Sequence, residues 1–155
     1  MRVQLLMVVA VGFVGVAQVL AVADRPPKKE NATQQDAKKL EGTWVIASVE
    51  LNGQKITDLK GMDFKVVITA TKIVSRNGGQ TAEEATYKLD LAKNPKQIVS
   101  TGIQGANKGK VTRVIYVLEG DTLKLGQTAD GKDPPKGFTG AGAAPIVVML
   151  KRQKG

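Results

Sequence analysis

"GTWVIASVELNG", Gly42 to Gly53, is the stretch on which the reading of this chain turns. From Val45 onward it alternates: Val45, Ala47, Val49 and Leu51 share one phase, Ser48 and Glu50 the other. A period of two marks a half-buried β-strand, and Asn52-Gly53 closes it with a turn signal. Trp44, the only tryptophan, falls in phase with Ser48 and Glu50. A large apolar ring on the polar phase needs a reason, and two are available. A β-bulge near Ile46 would insert one residue, turning Trp44 and Ile46 inward before it and Ala47, Val49 and Leu51 after it. Alternatively, Trp44 stands at the start of the strand and plugs one end of a closed structure.

Further strand signals follow at short intervals. Asp63 to Thr69 places Phe64, Val66 and Ile68 on one face, and Lys72 to Arg76 runs into the hairpin signal Asn77-Gly78-Gly79. Glu84 to Asp90 points Ala85, Tyr87 and Leu89 inward, and Asn94-Pro95 turns the chain toward Gln97 to Ile103. Val111 to Leu118 alternates Val114, Tyr116 and Leu118 against Arg113, Ile115 and Val117. Glu119-Gly120-Asp121 leads tightly into Thr122 to Gly126, and Pro145 to Arg152 follows the long Gly- and Pro-containing loop Gln127 to Ala144. Eight short strands with such brief connections pair antiparallel. An eight-stranded up-and-down meander removes its free edges by closing into a barrel, with the last strand beside the first. A two-sheet sandwich is the alternative all-β arrangement.

Composition narrows the chemistry. The 155 residues suffice for one domain, and 17 glycines agree with many turns. Without cysteine there is no disulfide, thiolate nucleophile or Cys-bound metal, and without histidine there is no Ser-His-Asp triad. The acidic residues fall mostly in turns (Glu119, Asp121, Asp130, Asp133) or on an outward strand position (Glu84), as turn chemistry and solubility require. No catalytic residue, cofactor or metal site is assigned, and the protein reads as a non-enzyme. The net charge of +9 favours anionic partners, such as an acidic polymer of a cell envelope. The cations are dispersed and not interleaved with aromatics, so nucleic-acid binding is not predicted.

Residues 1–23 carry the pattern of a secretory signal peptide: Met1-Arg2, an apolar run from Leu5, and the A-x-A site Ala21-Val22-Ala23. Cleavage after Ala23 would leave a periplasmic or secreted protein with no stable membrane anchor; an uncleaved anchor is the alternative. Residues 24–37 read as a polar linker and the start of a short helix, capped at Thr33 or Asp36 and running to about Leu40. Residues 38–155 are the barrel domain.

The pattern Leu40-x-Gly42-x-Trp44, Ser48, Asn52-Gly53, Tyr87-x-Leu89-Asp90, Pro95-Lys96-x-Ile98, Ile115-Tyr116-x-Leu118-x-Gly120-Asp121-x-Leu123-x-Leu125 and Leu150-Lys151-Arg152 resembles an uncharacterised lipocalin-like domain family of planctomycete bacteria. The resemblance runs from Leu40 to Arg152. It implies a small lipocalin-like barrel, and a Trp44 that plugs the closed end beneath a cation from the last strand, Arg152 or Lys151. The chain departs from the family at Gly126, where cysteine is frequent, and at Asp133 to Phe138, where an Arg-Pro-x-x-Phe segment is frequent.

An eight-stranded barrel is just wide enough to be filled by side chains or to hold one small ligand. Phe64, Val66, Ile68, Tyr87, Val114 and Tyr116 are the candidate lining of a calyx for a small apolar or amphipathic molecule, with Trp44 and Arg152 as structural residues at the barrel end. A filled barrel would instead make a structural or interaction module of the envelope. A cavity above ~300 Å³ separates the two readings.

Overall fold

In the computed structural model, residues 31–139 and 145–155 are described; the signal-peptide assignment at 1–23 and the linker up to Glu30 lie outside them. Among the described residues one helix, α1 (Ala32–Leu40), precedes nine strands. These are β1 (Gly42–Leu51), β2 (Gln54–Ile56), β3 (Phe64–Ile68), β4 (Lys72–Asn77), β5 (Gln80–Asp90), β6 (Gln97–Gln104), β7 (Val111–Glu119), β8 (Thr122–Gln127) and β9 (Ile146–Arg152). From β3 to β9 each strand pairs antiparallel with the next, and β9 pairs back onto β1. The sheet therefore closes into an eight-stranded antiparallel barrel, with the short β2 added.

β2 pairs with the second half of β1 through Val49↔Ile56, while β3 pairs with the first half through Trp44↔Val66. Its three residues are all exposed, so no apolar alternation announces it. The helix also starts earlier than Thr33 or Asp36: Asn31 is the N-cap, its side chain accepting a hydrogen bond from the Gln34 N–H at 2.9 Å. Asparagine is among the best N-caps because its short carbonyl reaches a free N–H of the first turn.

Both explanations of Trp44 hold together. The β1–β9 register runs Ile46↔Leu150 and then Ser48↔Met149, leaving Ala47 unmatched as the inserted residue of a bulge. The phase that holds Trp44 and Ile46 thus resumes at Val49, opposite Val148; of the other two residues expected inward after the bulge, Ala47 is the insertion itself and Leu51 is 40% exposed. Trp44 is also 0% exposed, at the end of the barrel that α1 covers. Its indole N–H donates to the Leu40 carbonyl at 2.9 Å, and the Arg152 guanidinium lies 4.3 Å from the ring centroid. Such a cation over an indole face is attracted by the ring quadrupole.

Arg152 does more than stack. Its Nη1 donates to the Glu41 carbonyl and its Nη2 to the Lys39 carbonyl at 2.6 Å, so it caps the C-terminal end of α1. There the helix presents unpaired carbonyls and the negative end of its dipole. Gly42 makes room for this arrangement. Its φ is +136°, and a Cβ there would stand 2.7 Å from Arg152 Nη1. Gly42→Ala is accordingly expected to cost about 1–3 kcal/mol in backbone strain alone, read from chemical denaturation.

The core inside this end combines Leu40, Trp44, Val66, Ile68, Ile98, Tyr116, Leu123 and Leu150. A second contact lies on the outer wall. Ile115 and Val147, on the outward phase, are both buried, and each pairs with Gly126. A Cβ on Gly126 would meet Ile115 Cγ1 at 2.9 Å and Phe138 at 3.1 Å, so these side chains take the space a cysteine would need. The described part of the long loop is fastened to this wall by Arg113 N–H to the Gly131 carbonyl at 3.0 Å and by Lys124 Nζ over the Phe138 ring at 4.6 Å.

Candidate functional site

The barrel interior holds a partly open cavity of about 390 Å³. Phe64, Val66, Ile68 and Val114 line it, joined by Ile46, Ile73, Ile98, Leu125, Val148 and Leu150. Alternation put these residues on one face, and the pairing explains why they converge: Val66 stands opposite Ser75, Ile98 opposite Val114, and Leu125 opposite Val148. Directly opposed residues project to the same side of a sheet, so the apolar phase of each strand contributes to one wall.

Tyr87 and Tyr116 are not part of that lining. Tyr87 donates its hydroxyl to the Thr69 carbonyl at 2.9 Å. Tyr116, 2% exposed, donates to Asp36 Oδ2 of α1 at 3.1 Å. Both belong to the helix-covered end, where a buried phenol needs a partner and α1 or a strand end supplies one. Inward phase was the right inference for them; depth along the barrel is what separates them from the cavity.

Asp36 is the hub that fixes the helix. Lys96 Nζ lies 2.6 Å from its Oδ2, across sixty residues of sequence. Burial pushes the Asp36 carboxyl up, but hydrogen bonds from Lys96 and Tyr116 and the charges of Lys96 and Lys39 outweigh it, and the net shift is downward. A carboxyl whose folded pKa is lowered stabilises the fold above its unfolded value and loses that contribution as pH falls through the folded one. The stability gap between the protein and Asp36→Asn should therefore be widest near neutral pH and close below about pH 4, as melting temperatures across pH would show. The phenols behave oppositely. Burial, then the hydrogen bond to Asp36, raises Tyr116, and burial followed by the Glu41 charge raises Tyr87. Their contribution is complete below the ordinary value of 10.0 and declines as pH rises past it, so the melting temperature should fall as pH rises above about 10.

The polar part of the cavity was not legible in the sequence. Ser75, Glu83, Ser100, Gln104, Asn107 and Thr112 line it on the side away from Trp44. Its centre is a pair: Asn107 Nδ2 donates to both carboxylate oxygens of Glu83, each at 2.8 Å. Asn107 reaches there because the turn after β6 folds back on the strand, with the Gly109 N–H donating to the Gly102 carbonyl at 2.9 Å. Gly102 permits this approach: a Cβ there would fall 2.0 Å from the Asn107 carbonyl oxygen. The neighbouring Glu84 is occupied by Lys72, whose Nζ lies 2.6 Å from its Oε1.

The remaining carboxylates serve turns and strand ends. Asp121 holds Arg152 at 3.3 Å and Lys154 at 3.6 Å, while Asp130 accepts from the Thr128 hydroxyl at 2.9 Å and the Lys132 N–H at 3.1 Å. Among the described residues no group of three His, Cys, Asp or Glu side chains is placed to hold a metal ion, and no helix is long and apolar enough to cross a membrane. Comparison of the chain with protein-family models, curated proteins and solved structures finds no match in any of the three.

Proposed function

We propose that this chain is an exported, non-catalytic binding protein of lipocalin type that holds a small apolar or amphipathic molecule inside its barrel. The observation that carries this reading is the interior cavity of about 390 Å³, walled on one side by branched aliphatic side chains and one phenylalanine and on the other by polar groups. Ligand sites are concave, mostly apolar and carry a few placed polar groups, and this cavity has that composition. A close-packed barrel would have used the same strands without leaving the space. The signal-like run at residues 1–23 supports export, and the charge of +9 supports an acidic envelope polymer as the surroundings of the outer surface.

The test starts from the protein in its own envelope. Native mass spectrometry should show a co-purifying small molecule, and 1-alkanols of increasing length should raise the melting temperature until the chain outgrows the cavity. A ligand at a hundred times its Kd adds about 2.7 kcal/mol of stability, a shift that is easily measured. Loss of every such signal, with fatty acids and retinoids also silent, would defeat the binding reading. Salt-sensitive retention on cell-wall fractions would then mark the protein as an envelope interaction module.

A further inference from the structure

We propose that the occupant of this cavity carries a protonated amine, and that Glu83 is its counter-charge; the proposal rests on the reading that the cavity binds a ligand. The register places Glu83 on the inner phase: it stands opposite Ser75, which stands opposite Val66, and all three line the cavity. Its carboxylate is oriented by the Asn107 amide, which contacts both oxygens without neutralising them. Among the described residues no ammonium or guanidinium lies within ion-pair distance of Glu83, in contrast to Glu84 with Lys72. None of the cavity's lining residues is lysine or arginine, although the chain has 23 of them.

A half-buried carboxylate on the polar side of a largely apolar cavity gains from a cationic partner. Two oxygens offer about four acceptor directions, and one amide leaves room for further N–H donors. An ammonium would make short, charge-assisted hydrogen bonds there, with the nearby Ser75 hydroxyl available as a further acceptor. A carboxylate or sulfate head would face like charge there and be repelled. The aliphatic wall then takes the rest of the molecule. Glu83 is thus a specificity-determining residue, held in its orientation by Asn107.

Three probes of equal chain length decide the matter: decylamine, decan-1-ol and decanoate, titrated calorimetrically into the protein at neutral pH below their micelle concentrations. Decylamine should bind about tenfold or more tightly than decanoate, the size of one added charge-assisted hydrogen bond. The overall charge of +9 would produce the reverse order if the probes merely adhered to the surface. Glu83→Gln should reduce decylamine to the level of decan-1-ol in the same variant; Glu83→Asp should retain part of the preference. Equal binding of all three probes, or tightest binding of decanoate, overturns the amine while leaving the cavity as a ligand site. A Glu83→Gln variant that keeps the amine preference overturns the role of Glu83. Absence of binding by any probe overturns both this proposal and the one it rests on. The wild-type ordering decides the charge class even if Glu83→Gln does not fold.

Discussion

Trp44→Ala is expected to lower the unfolding free energy by about 3–5 kcal/mol, the usual cost of removing a fully buried aromatic ring from a core. For a domain whose whole stability is ~5–15 kcal/mol this is a large share. Three contributions are lost together. The ring is 0% exposed and packs with Leu40, Val66, Ile68 and Leu150, so its removal leaves a void that rigid strands cannot fill. Its N–H to the Leu40 carbonyl, 2.9 Å long, disappears and leaves that carbonyl buried without a partner. Arg152 loses the face on which its guanidinium rests. Trp44→Phe separates the first loss from the second, since it restores most of the volume and none of the hydrogen bond. Urea denaturation followed by circular dichroism measures both. A cost below ~1 kcal/mol for the alanine variant would show that the end of the barrel does not depend on the indole.

Arg152→Ala is the second large effect, expected at about 3 kcal/mol from two charge-assisted hydrogen bonds and one cation–π contact that act partly in common. Its guanidinium joins the final strand to the carbonyls of Lys39 and Glu41, to the ring of Trp44 and to Asp121. A planar fork can serve these directions at once, and an ammonium cannot. Arg152→Lys should therefore recover only a minor part of the loss. In a double-mutant cycle, Trp44→Ala and Arg152→Ala should couple by about 1–2 kcal/mol, because each removes part of what the other relies on. Strict additivity would mean that the stacking seen in the structure contributes nothing to stability. Full recovery by lysine would assign the effect to charge alone.

The barrel was legible because its strands alternate and its connections are short. Phe64, Val66 and Ile68 announce β3 without reference to any other part of the chain, as Val114, Tyr116 and Leu118 announce β7. The bulge was legible for the same reason: an apolar residue out of phase in an otherwise regular strand points to an inserted residue. β2 was missed because Gln54, Lys55 and Ile56 are all exposed and bury nothing that would set a period. The tyrosines were placed on the correct face but at the wrong depth, since alternation says which way a side chain points and not what lies above it. Their partners, Asp36 and Thr69, are distant in sequence. The pair of Glu83 and Asn107 depends on a turn that folds back onto β6, and a glycine at 102 does not by itself say which residue will come close. Half of the candidate site, its apolar wall, thus follows from periodicity. The other half follows from loop geometry, which periodicity does not encode.

The seam between β1 and β9 has a kinetic consequence. From β3 onward, each pairing joins neighbours along the chain, whereas Trp44 meets Arg152 across more than a hundred residues. Bringing such distant segments together carries the largest loop-closure entropy in the molecule, so hairpins should assemble first and the seam last. Substitutions along the seam, at Val148 for example, should then speed unfolding far more than they slow folding, with φ-values near zero. The clamp of Arg152 on α1 and Trp44 would act after the rate-limiting barrier, as a latch that sets how long the closed barrel lasts.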